Sequence, residues 1–134
     1  LLTDYMDPPR PQEALQYSQR AYDLMMRSGR VEPLVLDTQG RVLTMVNRAA
    51  EGIVLLQDAA DRTSIPDVHY HLAEAYMKQN APEEAQKHLA QASAAIEKAK
   101  KDRQPVDERM AKRVEELTAA AKKMIASKAQ AGAQ

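Results

Sequence analysis

His69, His71 and His88 are the residues best suited to metal or acid–base chemistry, and their spacing argues against it. Positions two apart on a helix diverge by about 200 degrees, whereas helical metal pairs sit three or four apart on one face. His88 falls on a different helix, with no Cys in the chain and no clear carboxylate partner on its own face. No metal ligand is expected, and His69 is read as packing where two helices meet. The acidic pairs Glu83 with Glu84 and Glu115 with Glu116 fall at a helix start and on a solvated face, not as two carboxylates across a cleft. Gly29, Gly40, Gly52 and Gly132 form no phosphate-cradling loop, and no Ser or Thr stands in a nucleophile-elbow context. Thiol chemistry is excluded by the lack of Cys. No catalytic residue, cofactor-binding residue or cofactor is expected, and the chain is read as no enzyme.

Charge and composition narrow the partners. Lys plus Arg and Asp plus Glu balance at 19 each, which removes the bulk electrostatic attraction to nucleic acid or an anionic membrane. The basic run Lys98, Lys100, Lys101 and Arg103 is interleaved with Glu97, Asp102 and Asp107, and no aromatic residue stands among them to stack bases. A bilayer span needs roughly 18 to 20 apolar residues. The longest run here is Ile53-Val54-Leu55-Leu56, so no membrane insertion is expected. With no Phe, Trp or Cys, the core has to come from Leu, Val, Ile, Met and Ala with five Tyr, which suits thin layers of helix. Seven Met add adaptable filling. The 134 residues amount to one domain. Because the first residue is Leu, the expectation is a fragment or processed chain whose signal or anchor lies upstream. The compartment, cytoplasmic or periplasmic, stays open.

The elements that carry these residues are helical. Leu1 to Tyr5 reads as the end of a helix, and Pro8, Pro9 and Pro11 fix a turn after it. From Gln12, the residues Ala14, Leu15, Ser18, Ala21, Tyr22 and Met25 follow helical spacing up to Gly29, a left-handed stop. Pro33 opens the next helix, with Leu36, Gly40 and Leu43 as its buried line, and Asn47 turns the chain into Ala49, Gly52, Ile53, Leu56 and Ala59. Gly40 and Gly52 inside helices make sense where a neighbouring backbone comes close. Ser64 and Asp67 form a capping arrangement before the helix that Asn80 ends. Pro82 starts a helix extended by Ala85, Leu89, Ala92, Ile96 and Ala99 to about Lys101. Pro105 starts a last helix whose stripe is Val106, Met110, Val114, Leu117 and Ala121, and the residues after Ser127 are expected to fray.

This arrangement repeats. Moving Pro66–Ala92 back by 33 residues places Ala73 on Gly40, Tyr76 on Leu43, Asn80 on Asn47, Ala85 on Gly52, Leu89 on Leu56 and Ala92 on Ala59. A half copy precedes it, with Ala14 and Ala21 in the places of Gly52 and Ala59. A helical hairpin cannot bury its apolar stripe alone, so stacked copies are how such a sequence builds a continuous core.

The unit resembles a tetratricopeptide repeat, through Leu72, Ala73, Tyr76, Ala85 and Leu89. His69 departs from that pattern, and its closing Pro is missing. The resemblance implies an all-α, right-handed superhelical stack with a long C-terminal capping helix, as one domain over residues 1–128. Its parts are a truncated repeat at 1–32, repeats at 33–65 and 66–104, and a capping helix at 105–128, followed by a disordered tail at 129–134. It also implies a protein-interaction scaffold that holds a peptide or partner helix on the concave face formed by the first helix of each pair. The positions implied for that face are Leu34, Asp37, Arg41, Thr44 and Met45, then Asp67, Tyr70, Glu74, Met77 and Lys78. Asp37 with Arg41, and Tyr70 with Glu74, stand where chaperone-tail clamps of the family use Lys and Asn, which argues against such a clamp. The alternative is architectural: the C-terminal cap of a longer array, self-associating as a homodimer or assembling through its N-terminal face. The stretch LDTQGRVL followed by PDVHYHLAEAY is also similar to the ends of repeat proteins in bacterial envelope and exopolysaccharide-export systems.

Overall fold

Prolines set where the helices begin. The computed structural model describes residues 10–133, and among them it contains six helices and no strand. They are α1 (Pro11–Ser28), α2 (Pro33–Met45), α3 (Ala49–Arg62), α4 (Pro66–Lys78), α5 (Pro82–Lys101) and α6 (Glu108–Ala133). Four of them open on a proline, whose missing N–H would have no helical partner in the first turn anyway. The exits are equally regular. Asn47, Asn80 and Arg103 take φ of 68, 60 and 56 degrees, and the amide one residue later donates back to a carbonyl five residues earlier. These closures are Arg48 N–H to Leu43 O at 2.8 Å, Ala81 N–H to Tyr76 O at 2.9 Å and Gln104 N–H to Ala99 O at 2.8 Å. Each is a left-handed C-cap that satisfies a terminal carbonyl and reverses the chain within a few residues. Gly29, at φ 72 degrees, ends α1 in the same region of backbone space.

Each helix packs on the next in sequence. In addition α2 touches α4 and α4 touches α6, whereas the backbones of α1 and α3, and of α3 and α5, stay apart. Asp37 meets His71 and Thr44 meets Lys78, so α2 and α4 run in the same direction. Met110 and Pro66 line one cleft, and Lys128 Nζ donates to the Asn80 carbonyl oxygen, so the starts of α6 and α4 lie at one end and α6 runs that way too. The described residues thus form one row of parallel helices (α2, α4, α6) backed by α3 and α5 running the other way.

The α2–α3 crossing is held by two glycines facing each other. A Cβ on Gly52 would sit 2.5 Å from the Gly40 carbonyl oxygen and 2.7 Å from Thr44 Oγ1, and one on Gly40 would sit 2.9 Å from the Gly52 carbonyl oxygen. Bare backbone is required on both sides. In the following hairpin Ala73 and Ala85 take these places and are fully buried. The interior is a chain of small clusters. Met25, Leu36, Ala59 and Val68 join α1 to α4; Leu56, Leu72 and Ala75 join α3 to α4; Ala73, Ala85, Leu89, Ala92, Ile96, Met110, Val114 and Ala121 join α4, α5 and α6. Leu43 is buried and Tyr76 half-buried.

Several sequence expectations are corrected. The last helix starts at Glu108, not Pro105, because Asp107 Oδ1 accepts the amides of Arg109 at 2.9 Å and Met110 at 3.4 Å and so acts as its cap. It continues through Ala133 rather than fraying after Ser127. Ala126, Ala129, Ala131 and Ala133 are strong helix formers, and Lys128 Nζ donates to the Asn80 carbonyl oxygen, tying the rod to α4. Ser64 and Asp67 do not cap α4, whose N-cap is Ile65 without a side-chain bond. Pro11, not Gln12, opens α1, and Ala21 on its expected buried line is exposed. The helix end expected at Leu1–Tyr5 lies outside the described residues.

The glycine contact makes a signed prediction. Replacing Gly52 by Ala gains up to ~1 kcal/mol of helix propensity but forces two backbones apart, an overpacking cost of about 1–3 kcal/mol. Urea unfolding of Gly52→Ala should show a net loss, and an increase in stability would mean that the crossing has slack.

Candidate functional site

The expected groove residues fall into two classes. Arg41, Met45 and Lys78 are exposed, and Tyr70, Glu74 and Met77 are half-buried along α4. Leu34 is exposed on α2 and Asp67 half-buried at the start of α4. Asp37 and Thr44 are buried instead. His71 Nδ1 donates to Asp37 Oδ1 at 2.9 Å, joining α4 to α2. Both side chains are nearly closed off from water, at 9% and 12% exposure, so each depends on the other for its hydrogen bond. Thr44 Oγ1 donates to the Gly40 carbonyl oxygen at 2.9 Å, and bare Gly52 lets α3 close over it. Neither burial could be read from a position along one helix, because both come from a second helix arriving alongside.

Lys78, which helical spacing pairs with Glu74, reaches across instead, and its Nζ donates to the Thr44 carbonyl oxygen at 3.4 Å. Tyr70 sits among charges from three helices. Burial raises the pKa of its phenol, Glu74 adds to the rise, Arg113 and Arg41 oppose it, and Glu116 contributes a little in the same direction as Glu74. Arg113 and Glu116 belong to α6, which was read from sequence only as a cap. Their part in this face becomes visible once α6 lies beside α4 as α4 lies beside α2. Nothing in their own spacing marks them, since the whole outer surface of α6 is charged.

The histidines separate by role. His71 points to α2, while His69 turns to the α4–α5 contact, in keeping with their divergence on the helix. There its ring stacks on His88 at 5.9 Å between centroids, and Tyr76 stacks on His88 at 5.6 Å with planes 6 degrees apart. Both Nδ1 atoms are buried without a partner. Burial lowers the pKa of both rings, and His88 lowers that of His69 further. For His88, Gln91, Glu84 and Asp61 work against burial, and Lys87 works with it. Among the described residues no group of three or more His, Cys, Asp or Glu could hold a metal ion.

A cleft of about 630 Å³ lies where the C-terminal turns of α5 overhang Pro66, Val106 and Met110. On its polar rim Lys98 Nζ donates to Asp102 Oδ2 at 3.3 Å, and Asp107 caps α6. Among the described residues no helix is long and apolar enough to cross a membrane. No family model, curated protein or solved structure matches this chain.

Two outcomes check this geometry. Asp37→Ala strands a buried imidazole N–H and should cost about 1–3 kcal/mol in chemical unfolding; Arg41→Ala, on the surface, should change stability by no more than about 0.5 kcal/mol. Equal effects would contradict the burial assignment. The histidine stack sets the second. With pKa values lower in the fold than in the unfolded chain, protons favour the unfolded state, so stability is full above the ordinary histidine pKa and declines as pH falls through it. The double variant His69→Leu, His88→Leu copies Leu36 and Leu55 of the preceding hairpin. Melting curves between about pH 7.5 and 5 should show wild type losing stability relative to this variant, and parallel curves would refute the assignment.

Proposed function

We propose that this chain is a non-catalytic protein-interaction scaffold of tetratricopeptide-repeat type, a right-handed superhelical stack that holds a peptide or partner helix along α2, α4 and α6. The observation that carries this reading is the asymmetry of packing. The parallel helices α2, α4 and α6 approach one another in series, while the backbones of the backing helices α3 and α5 stay apart. Helices close together on one side and apart on the other bend a stack, with the touching row on the inner curve. On that row Arg41, Met45, Tyr70, Glu74, Met77 and Lys78 present apolar anchors within a polar rim, the composition of a peptide-binding surface. Arg113 and Glu116 extend it onto α6.

The architectural reading, a C-terminal cap of a longer array, draws on the unlike outer faces of the first and last described helices. The outer surface of α6 carries Arg109, Lys112, Glu115, Lys122 and Lys123, all exposed, whereas α1 exposes Tyr17 and Leu24. Polar outer faces close repeat arrays, and apolar ones invite a neighbour. The two readings are compatible within one chain. A bacterial envelope or export setting belongs to this proposal only through the sequence similarity noted above.

Peptides selected from a display library on the intact chain should bind along α2 and α4. The variant Arg41→Glu, Tyr70→Ala should weaken them at least about tenfold, or ~1.4 kcal/mol, without lowering the melting temperature. Undiminished binding by the variant would remove the groove and leave the architectural reading.

A further inference from the structure

The last backing helix overruns its repeat. Moved back by 33 residues, the stretch 82–95 of α5 covers the whole of α3, which stops at Arg62, so residues 96–101 have no counterpart on α3. The connector that follows is longer as well. It takes six residues, 102–107, where the connectors at 46–48, 63–65 and 79–81 take three each. The added turns supply Ile96, Lys98 and Ala99 to the 630 Å³ cleft, and the longer connector supplies Val106 and Asp107. This cleft is therefore an addition to the repeat and does not arise from stacking alone.

Its lining has two kinds of surface. Ile96 and Met110 are buried, and Ala95, Ala99 and Val106 half-buried, which gives an apolar floor. The ionisable groups that line it are Asp67, Asp102, Asp107 and Lys98, three carboxylates against one ammonium. Lys98 and Asp102 pair with each other at 80% and 53% exposure, and an ion pair so open to water exchanges partners at little cost. Asp107 spends Oδ1 on the first amides of α6, which leaves its other oxygen for a further donor. An anion is repelled by such a rim, and no metal-holding group of His, Cys, Asp or Glu occurs among the described residues. What complements an apolar floor with an acidic rim is a long apolar stem that ends in a cation.

We propose that this cleft docks a short basic segment of a partner protein. One arginine or lysine lies with its methylenes on Ile96, Val106 and Met110 and its head group among Asp67, Asp102 and Asp107. The volume is several times that of one such side chain and falls within the roughly 300–1,000 Å³ of ligand pockets. Neighbouring residues of the segment enter with it, and a peptide fills the space that a free amine leaves empty. Arg41, Tyr70, Glu74 and Met77 do not line this cleft, so it is a second surface, independent of whether the α2–α4–α6 face takes a partner.

The full 134-residue protein, titrated with the peptide acetyl-Ala-Leu-Arg-Leu-Ala-amide and followed by methyl NMR, reads the site directly. Signals of Ile96, Val106 and Met110 should shift saturably with a Kd of ~1 mM or tighter, while Val54 on α3 stays unmoved. Citrulline in place of the peptide's arginine, which keeps the shape and removes the charge, should weaken binding at least about tenfold. The double variant Asp67→Asn, Asp102→Asn should do the same with an unchanged melting temperature, and Ala99→Leu, which fills the floor, should block the peptide. Asp107 is kept because it caps α6. Glu13→Gln with Glu83→Gln removes the same charge from exposed sites elsewhere and should leave the affinity within about twofold. Equal losses in the two double variants would mean diffuse attraction alone and would overturn the proposal. So would the absence of any methyl shift up to about 10 mM peptide, or binding of N-butylguanidine as tight as that of the peptide, which would make this a pocket for small cations.

Discussion

The approach of one backbone to another at each hairpin crossing is the constraint on which the rest of this structure depends. Between α2 and α3 the Gly40 carbonyl oxygen lies 2.5 Å from where a Gly52 Cβ would be, and the Gly52 carbonyl oxygen 2.9 Å from where a Gly40 Cβ would be, with the Leu56 and Thr44 side chains closing in beside them. Between α4 and α5 the same crossing is made by alanines. With no Phe or Trp to fill a thicker interior, close helices are how Leu56, Leu72, Leu89 and Val68 come to be almost completely buried in so short a chain. A wider crossing would leave voids that the available side chains are too small to occupy.

That closeness also explains the polar interior. Once α2 and α4 lie in contact, a polar side chain between them has to find a partner, since burial without one is costly. Asp37 and His71 answer each other, and Ser18 Oγ donates to Gln39 Oε1 at 2.5 Å across α1 and α2. These bonds fix the relative position of successive hairpins, which apolar contacts alone leave free to slide. The His69, His88 and Tyr76 stack has no counterpart in the preceding hairpin, where Leu36, Leu55 and Leu43 hold the same places. The second crossing therefore carries titratable rings where the first is apolar.

The proposed interaction face follows from the same packing. A row of parallel helices in mutual contact gathers side chains that are far apart in sequence, from Arg41 through Tyr70 to Arg113, onto one surface. Among the described residues the far side of α6 is charged, while α1 exposes Tyr17 and Leu24. The outer faces of the first and last described helices are chemically distinct.

Much of this was legible in the residues. Prolines at 33, 66 and 82 mark helix starts and asparagines at 47 and 80 mark left-handed exits, because φ preferences are local properties of a residue. The 33-residue recurrence of small and bulky positions located the crossings, since steric fit at a crossing is written in side-chain size. The same reasoning placed Asp37 and Thr44 on the surface, missed Arg113 and Glu116, and ended α6 too early. Each of those depends on a neighbour that sequence spacing does not show: His71 arriving over Asp37, α3 closing over Thr44, α6 lying beside α4, and Lys128 reaching Asn80. What the sequence determined by itself was where α2, α4 and α5 begin, where α2 and α4 turn back and which helix sides are small, because backbone preference and side-chain volume belong to the residue. Which polar groups are buried and which charges share a surface was decided only by the tertiary structure, because burial and electrostatic neighbourhood belong to pairs of helices that meet in space.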